Sequence, residues 1–216
     1  MLTRRTVLFS VAILAGLALS ATAAPAAASM AGADTFVRNM GKEAIDSLTS
    51  KTLSDHEREA RFRSIFERSF DIPVIARATL GQYWRIATPD QRKEYVTLFE
   101  DFVVQAYAAR FKDYSGEAFK VGQSRALNDR ETLVTSEIIR ANDQPPVKVQ
   151  WRLRGNSDYK VIDVIVEGIS MLITHRDEFA AVIQQNGGKV EGLLADLRKK
   201  TTEIRNGTAK NGAAPQ

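Results

Sequence analysis

The stretch Val147-Lys148-Val149-Gln150-Trp151-Arg152-Leu153-Arg154 alternates apolar and polar residues without a fault. Successive side chains of a strand point to opposite faces, so Val147, Val149, Trp151 and Leu153 share one face and Lys148, Gln150, Arg152 and Arg154 the other. One dry face and one wet face is the pattern of an antiparallel sheet covered on a single side. Working outward, the period of two recurs at residues 119–125, 132–140 and 159–167. The links carry Asn128-Asp129, Asn142-Asp143 with Pro145-Pro146, and Gly155-Asn156-Ser157-Asp158. Short links rich in turn formers predict a four-stranded antiparallel meander. The fourth strand is apolar on both sides, with Val161 and Ile165 against Ile162, Val164 and Val166, so it is expected to be central or covered twice.

Further out the period becomes 3.6. Helices are predicted over 34–50, from Ser54-Asp55 to about Phe70, and from Asp71-Ile72-Pro73 to Leu80. Thr88-Pro89-Asp90-Gln91 opens a long helix with a capping box, and its apolar stripe carries it to about Tyr114. Beyond the sheet, Gly168-Ile169-Ser170 starts another helix, which Asn186-Gly187-Gly188 stops. A last helix runs from Val190 to about Ile204. The fold class is therefore α+β, an antiparallel sheet with several amphipathic helices enclosing an apolar cavity.

Arg4-Arg5, an apolar run from Val7 to Leu19 and the small residues Ala21 to Ala28 read as a cleavable signal peptide over residues 1–28. The apolar run is short for a membrane span. Residues 29–204 are then one domain and 205–216 a small, polar, disordered tail. The formal charge of +4 falls by two once Arg4 and Arg5 are removed, and no basic run exceeds Arg198-Lys199-Lys200, which argues against nucleic acid as a partner. Cysteine is absent, so disulfides, thiolate metal sites and a cysteine nucleophile are excluded. With only His56 and His175 as imidazoles, a three-histidine site within one chain is excluded as well.

Tools for catalysis are sparse. Gly168-Ile169-Ser170-Met171-Leu172 stands where a nucleophile elbow would, but it lacks the second glycine, and Ser170 reads better as a helix cap. Asp163, a carboxylate in an apolar strand, needs partners. A satisfied structural aspartate is the favoured reading. A hydrolase of lipid or cell-wall material using Asp163, Glu167 or Ser170 is the rival one. No phosphate loop, dinucleotide fingerprint or metal motif is present.

Aromatic residues are in excess instead. Eleven lie between Phe62 and Tyr114, nine of them on predicted helices and Tyr83 and Trp84 in the link between two. Rings on the long helix and one apolar sheet face suit a hollow interior for an apolar ligand. From this facing, Phe99, Phe102, Val103 and Tyr107 are expected to look across at Val147, Val149, Trp151 and Leu153, with Tyr83 and Trp84 near the mouth.

Two blocks of the chain resemble a known family. The first is Phe66, Phe70-Asp71, Ala76 and Leu80-Gly81-Gln82-Tyr83-Trp84, followed by Thr88-Pro89-Asp90-Gln91-Arg92, Tyr95, Phe99, Phe102 and Tyr107. The second is Tyr159-Lys160-Val161-Ile162-Asp163-Val164-Ile165-Val166-Glu167-Gly168-Ile169-Ser170, with His175-Arg176-Asp177-Glu178-Phe179 after it. Together they resemble the toluene-tolerance family of periplasmic phospholipid-binding carriers, over about residues 34–200. Tyr159 stands where that family commonly has tryptophan, and Ile162 where it has an aromatic residue. Such departures fit an outlying branch such as the hopanoid-associated relatives, so a hopanoid is an alternative ligand. The resemblance implies a non-enzymatic, monomeric, periplasmic carrier without cofactor, holding phospholipid acyl chains in its cavity. It also implies an inner-membrane MCE-type ring protein on an ABC transporter, and an outer-membrane lipoprotein–porin complex, as partners.

Overall fold

A computed structural model describes residues 25–114, 116–140 and 144–205. In chain order it runs α1 (Pro25–Leu48), α2 (Asp55–Ser69), α3 (Ile72–Leu80), a 3-10 turn (Gly81–Arg85), α4 (Pro89–Ala108) and a second 3-10 turn (Ala109–Asp113). The strands β1 (Ala118–Asn128), β2 (Glu131–Ile139), β3 (Val147–Arg154), β4 (Lys160–Val166) and β5 (Ile169–Ser170) follow, then α5 (Met171–Gln185) and α6 (Val190–Arg205). The sheet order is β1-β2-β3-β4-β5, each neighbour antiparallel. The meander is thus as expected, with a short fifth strand added. Residues 1–24 of the signal-peptide reading over 1–28, and the tail after Arg205, lie outside the described residues.

The caps carry the helix starts. Ser54 Oγ accepts from Glu57 N at 3.2 Å while Glu57 accepts from Ser54 N at 2.9 Å, and Thr88 with Gln91 repeats this box at α4. Asp71 caps α3 through Val74 N at 3.3 Å. The long helix is shorter than its apolar stripe suggests. Its α-helical bonding ends at Ala108 and the chain tightens into a 3-10 turn.

The fourth strand departs from simple alternation. Arg152 pairs with Asp163 but Leu153 with Val161, so Ile162 is an extra residue in a bulge. The bulge moves Val161 onto the face of Val164 and Val166, which pair with Trp151 and Val149. Asp163 and Ile165 take the opposite face. A sequence period cannot register one inserted residue. At the β4–β5 turn, Glu167 (φ 49) and Gly168 (φ 82) both adopt left-handed backbone, which glycine tolerates freely and glutamate does not. Glu167 is held there by backbone and side-chain bonds to Lys148.

Helix α1 lies across the apolar face of β1 and β2, while α2, α3 and α5 pack against β4. Helices α4 and α6 pair with each other, and α3 and α5 join them to form a helical core beside the sheet.

Candidate functional site

The apolar sheet face is built by register. Val134 and Trp151 are paired, as are Trp151 and Val164, and Leu153 with Val161, so these side chains lie side by side. At its centre Val134, Leu153 and Val161 are fully buried. Helix α1 supplies Ala33, Val37, Met40 and Leu48 to the same cluster, and α2 supplies Ile65. Around this dry centre stands a rim of larger side chains that are only half-buried: Phe36, Phe62, Phe70, Phe111, Phe119, Val121, Trp151 and Val164. Two pairs of the rim are in contact, Phe62 with Phe111 at 5.9 Å and Phe119 with Trp151 edge-on at 6.4 Å between centroids. Apolar surface left in water costs about 2.5 kcal/mol per 100 Å², so rings held half-wet are a surface that an apolar ligand can cover at a gain.

One polar element interrupts the face and is satisfied. Ser136 Oγ donates to Val149 O at 3.0 Å and accepts from Trp151 Nε1 at 2.9 Å, which fixes the indole. On the opposite face Arg152 and Arg154 converge on Glu131, at 2.6 and 3.3 Å. Burial alone would raise the Glu131 carboxyl, but these two guanidiniums hold it below its usual range.

The helical residues expected to oppose the sheet belong elsewhere. Tyr83, Phe99, Phe102 and Val103 are buried in the helical core, with Trp84 and Tyr107 packed against it. That core is organised around Phe179 of α5, which Tyr95, Phe99 and Phe102 approach edge-on at 6.1, 6.4 and 6.2 Å. Phe102 also meets the His175 ring at 5.8 Å. The stripe of α4 therefore packs against a helix rather than across at β3. Trp84 lies under the Arg92 guanidinium, 5.5 Å away. On the sheet, Trp151 and Leu153 join the rimmed face, and Val149 is buried beside Ser136 and Val166 on that face. Val147 is half-buried at its end, paired with Ile138. Among the described residues, only Phe62 and Phe70 touch both clusters. The rim residues Phe36, Phe62, Phe70, Phe111 and Phe119 were not singled out by spacing. Their sequence signal is only an apolar position on a predicted helix or, for Phe119, on the first predicted strand.

The polar residues with catalytic potential are engaged structurally. Asp163 Oδ2 accepts from Ser170 Oγ at 2.7 Å and Oδ1 from Leu172 N at 3.1 Å, while Ser170 Oγ accepts from Ile173 N at 3.1 Å. Together they cap α5. His175 is buried, with Nδ1 3.1 Å from Glu178 and Nε2 3.4 Å from the Tyr107 hydroxyl. An open groove of about 520 Å³ beside α1 is walled by the polar and charged residues Asn39, Lys42, Glu43, Asp46, Ser47 and Arg61. Among the described residues no helix is long and apolar enough to cross a membrane, and no three His, Asp or Glu side chains gather as a metal site.

Fold and face together define a class: an α+β domain that backs one apolar sheet face with helices and leaves a rim of aromatic side chains partly exposed. The chain belongs to the MlaC family, whose pattern it matches over residues 38–199. It is 24% identical over 129 residues to the intermembrane phospholipid transport system binding protein MlaC of Haemophilus influenzae, covering 57% of this chain and 59% of that protein. It is 28% identical over 114 residues to toluene tolerance protein ttg2D of Pseudomonas putida, covering 52% and 53% of the two chains. In three dimensions it shares the fold of a phospholipid-binding protein from Ralstonia solanacearum, solved in complex with a phospholipid. That match has a TM-score of 0.71 at 20% identity and covers 80% of this chain and 98% of that one.

Proposed function

We propose that this protein is a non-enzymatic phospholipid carrier of the periplasm, and that it seats acyl chains on the rimmed apolar face of its sheet. The observation that carries the reading is the half-wet ring of Phe36, Phe62, Phe70, Phe111, Phe119 and Trp151 around a dry centre. The family and the names of its relatives support the same ligand. A carrier needs such a surface for a reason of magnitude. A diacyl lipid with roughly 30 methylenes resists leaving a bilayer by about 24 kcal/mol, at about 0.8 kcal/mol per methylene. Only apolar contact that replaces most of this lets the lipid cross water. The proposed wall keeps Val147, Val149, Trp151 and Leu153 of the sheet and replaces the six helical residues with the phenylalanine rim.

In this reading the protein takes lipid between the outer membrane and an inner-membrane ABC transporter. Its partners are an MCE-type ring protein on one side and a lipoprotein–porin complex on the other. The resemblance over 34–200 supports that route.

Lipid extraction of the purified protein followed by mass spectrometry tests the reading. One diacyl phospholipid per chain is expected. Val121→Asp, on the rim of the edge strand, is expected to lose it while the circular dichroism stays native. Protein that carries no lipid, and takes none from phospholipid vesicles, sinks the proposal. A hopanoid in the extract would redirect it to that ligand.

A further inference from the structure

The acyl-chain site proposed above is roofed by the chain's own first helix, and the inference that follows rests on that reading. We propose that α1 is the gate of the site: it lies closed over the sheet and swings about the 49–53 linker to admit the acyl chains of a diacyl lipid.

The roof is apolar and shallowly keyed. Ala33, Val37 and Met40 of α1 lie against Val134, Leu153, Tyr159 and Val161. At two points the contact is made by glycine backbone. The Phe119 ring lies on Gly41, where a Cβ would collide with it, and the Tyr159 hydroxyl lies 3.0 Å from where a Cβ of Gly32 would stand. At these two points no α1 side chain has to be withdrawn as the helix lifts, and Ala33, Val37 and Met40 are the buried ones that leave the sheet.

The polar fastenings gather at the other end of the helix. Buried Arg58 of α2 donates to the carbonyls of Leu48, Ser50 and Leu53, the last two at 3.2 and 3.3 Å. Arg61 donates to Ser47 O at 3.0 Å, and Arg68 pairs with Glu43. This end is the pivot, and a few linker residues suffice to absorb such a rotation.

The closed position also carries a cost. Asp34 Oδ1 is buried without a hydrogen-bond partner among the described residues. Lifting the helix returns it to water. Finally, a groove of about 180 Å³ already runs along the seam, lined by Arg38, Lys42, Ile45, Asp46 and Phe119. It marks where the lid and β1 part.

The chain has no cysteine, so a pair of thiols can be placed cleanly. Arg38→Cys with Lys120→Cys, two exposed positions beside the seam and off the rim, bridged by a bifunctional thiosulfonate with a spacer, tie α1 to β1. Uptake is read with vesicles of phosphatidylcholine and phosphatidylglycerol carrying a self-quenched, acyl-labelled phospholipid. The bridged protein is expected to take up lipid at least tenfold more slowly than the same protein after reduction. Equal rates overturn the gate and leave the carrier reading standing, whereas no uptake by the unaltered chain overturns both. Hydrogen exchange on the unaltered protein gives a second reading. Added vesicles are expected to change exchange across residues 33–41 and leave residues 99–108 as they were, and unchanged exchange in 33–41 also overturns the gate.

Discussion

Asp163 shows how a single residue was half legible. A carboxylate in an apolar strand demands partners, and that much follows from composition. The partners are Ser170 Oγ and Leu172 N, seven and nine residues on. A tight turn and a two-residue strand bring them back, and the bulge at Ile162 turns Asp163 toward them. Asp163→Ala is expected to cost about 2 kcal/mol in urea unfolding, through loss of the α5 cap. Asp163→Asn, which keeps an acceptor, should cost less. An Asp163→Ala protein as stable as the parent would refute the capping role. Tyr95 is a second such residue. It is fully buried, its hydroxyl bonded to Thr79 at 2.8 Å, and burial pushes its pKa far above the ordinary 10.0. The folded chain therefore keeps this proton where the unfolded chain loses it, so stability falls as pH rises past about 10. The limiting slope for one proton is about 1.4 kcal/mol per pH unit. Tyr95→Phe removes the titrating group. It is expected to cost about 1 kcal/mol at neutral pH yet to flatten the alkaline limb, as read by denaturation between pH 8 and 11.

At the scale of elements, the capped starts were readable because Ser54/Glu57 and Thr88/Gln91 act within three residues. The ends were less so. The apolar stripe of α4 continues through Tyr114 in sequence, but the backbone tightens after Ala108 because the following residues must reach β1. The end of α1 is closed from outside, by Arg58 of α2 donating to three carbonyls of and beyond its last turn. In sequence Arg58 is one of a run of charges that looks solvated. In the fold it is 3% exposed. Arg58→Ala orphans those carbonyls and is expected to lower stability by about 3 kcal/mol, with loss of helical circular dichroism before the main thermal transition. A variant melting as one unit at the parent temperature would show that the guanidinium fastens nothing.

For the whole molecule, the division into two apolar clusters matters most. Phe99 is 2% exposed in the helical core, where it meets Tyr95 and Phe179. Phe99→Ala is expected to cost about 3–5 kcal/mol as a cavity in packed core. Its loss of lipid binding should track its loss of fold, unlike Val121→Asp on the rim. Binding that disappears from a fully folded Phe99→Ala would return α4 to the wall of the site. Periodicity by itself determined most of the elements, the antiparallel meander and the apolar face of β3, because strand alternation, caps and turn residues act over a few neighbours. Which apolar surfaces meet was decided only in three dimensions. A ring at helical spacing burns the same free energy against any apolar partner, so nothing local told the stripe of α4 to choose Phe179 over Trp151. One inserted residue in β4 and the crossing of α1 over the sheet accompany that choice.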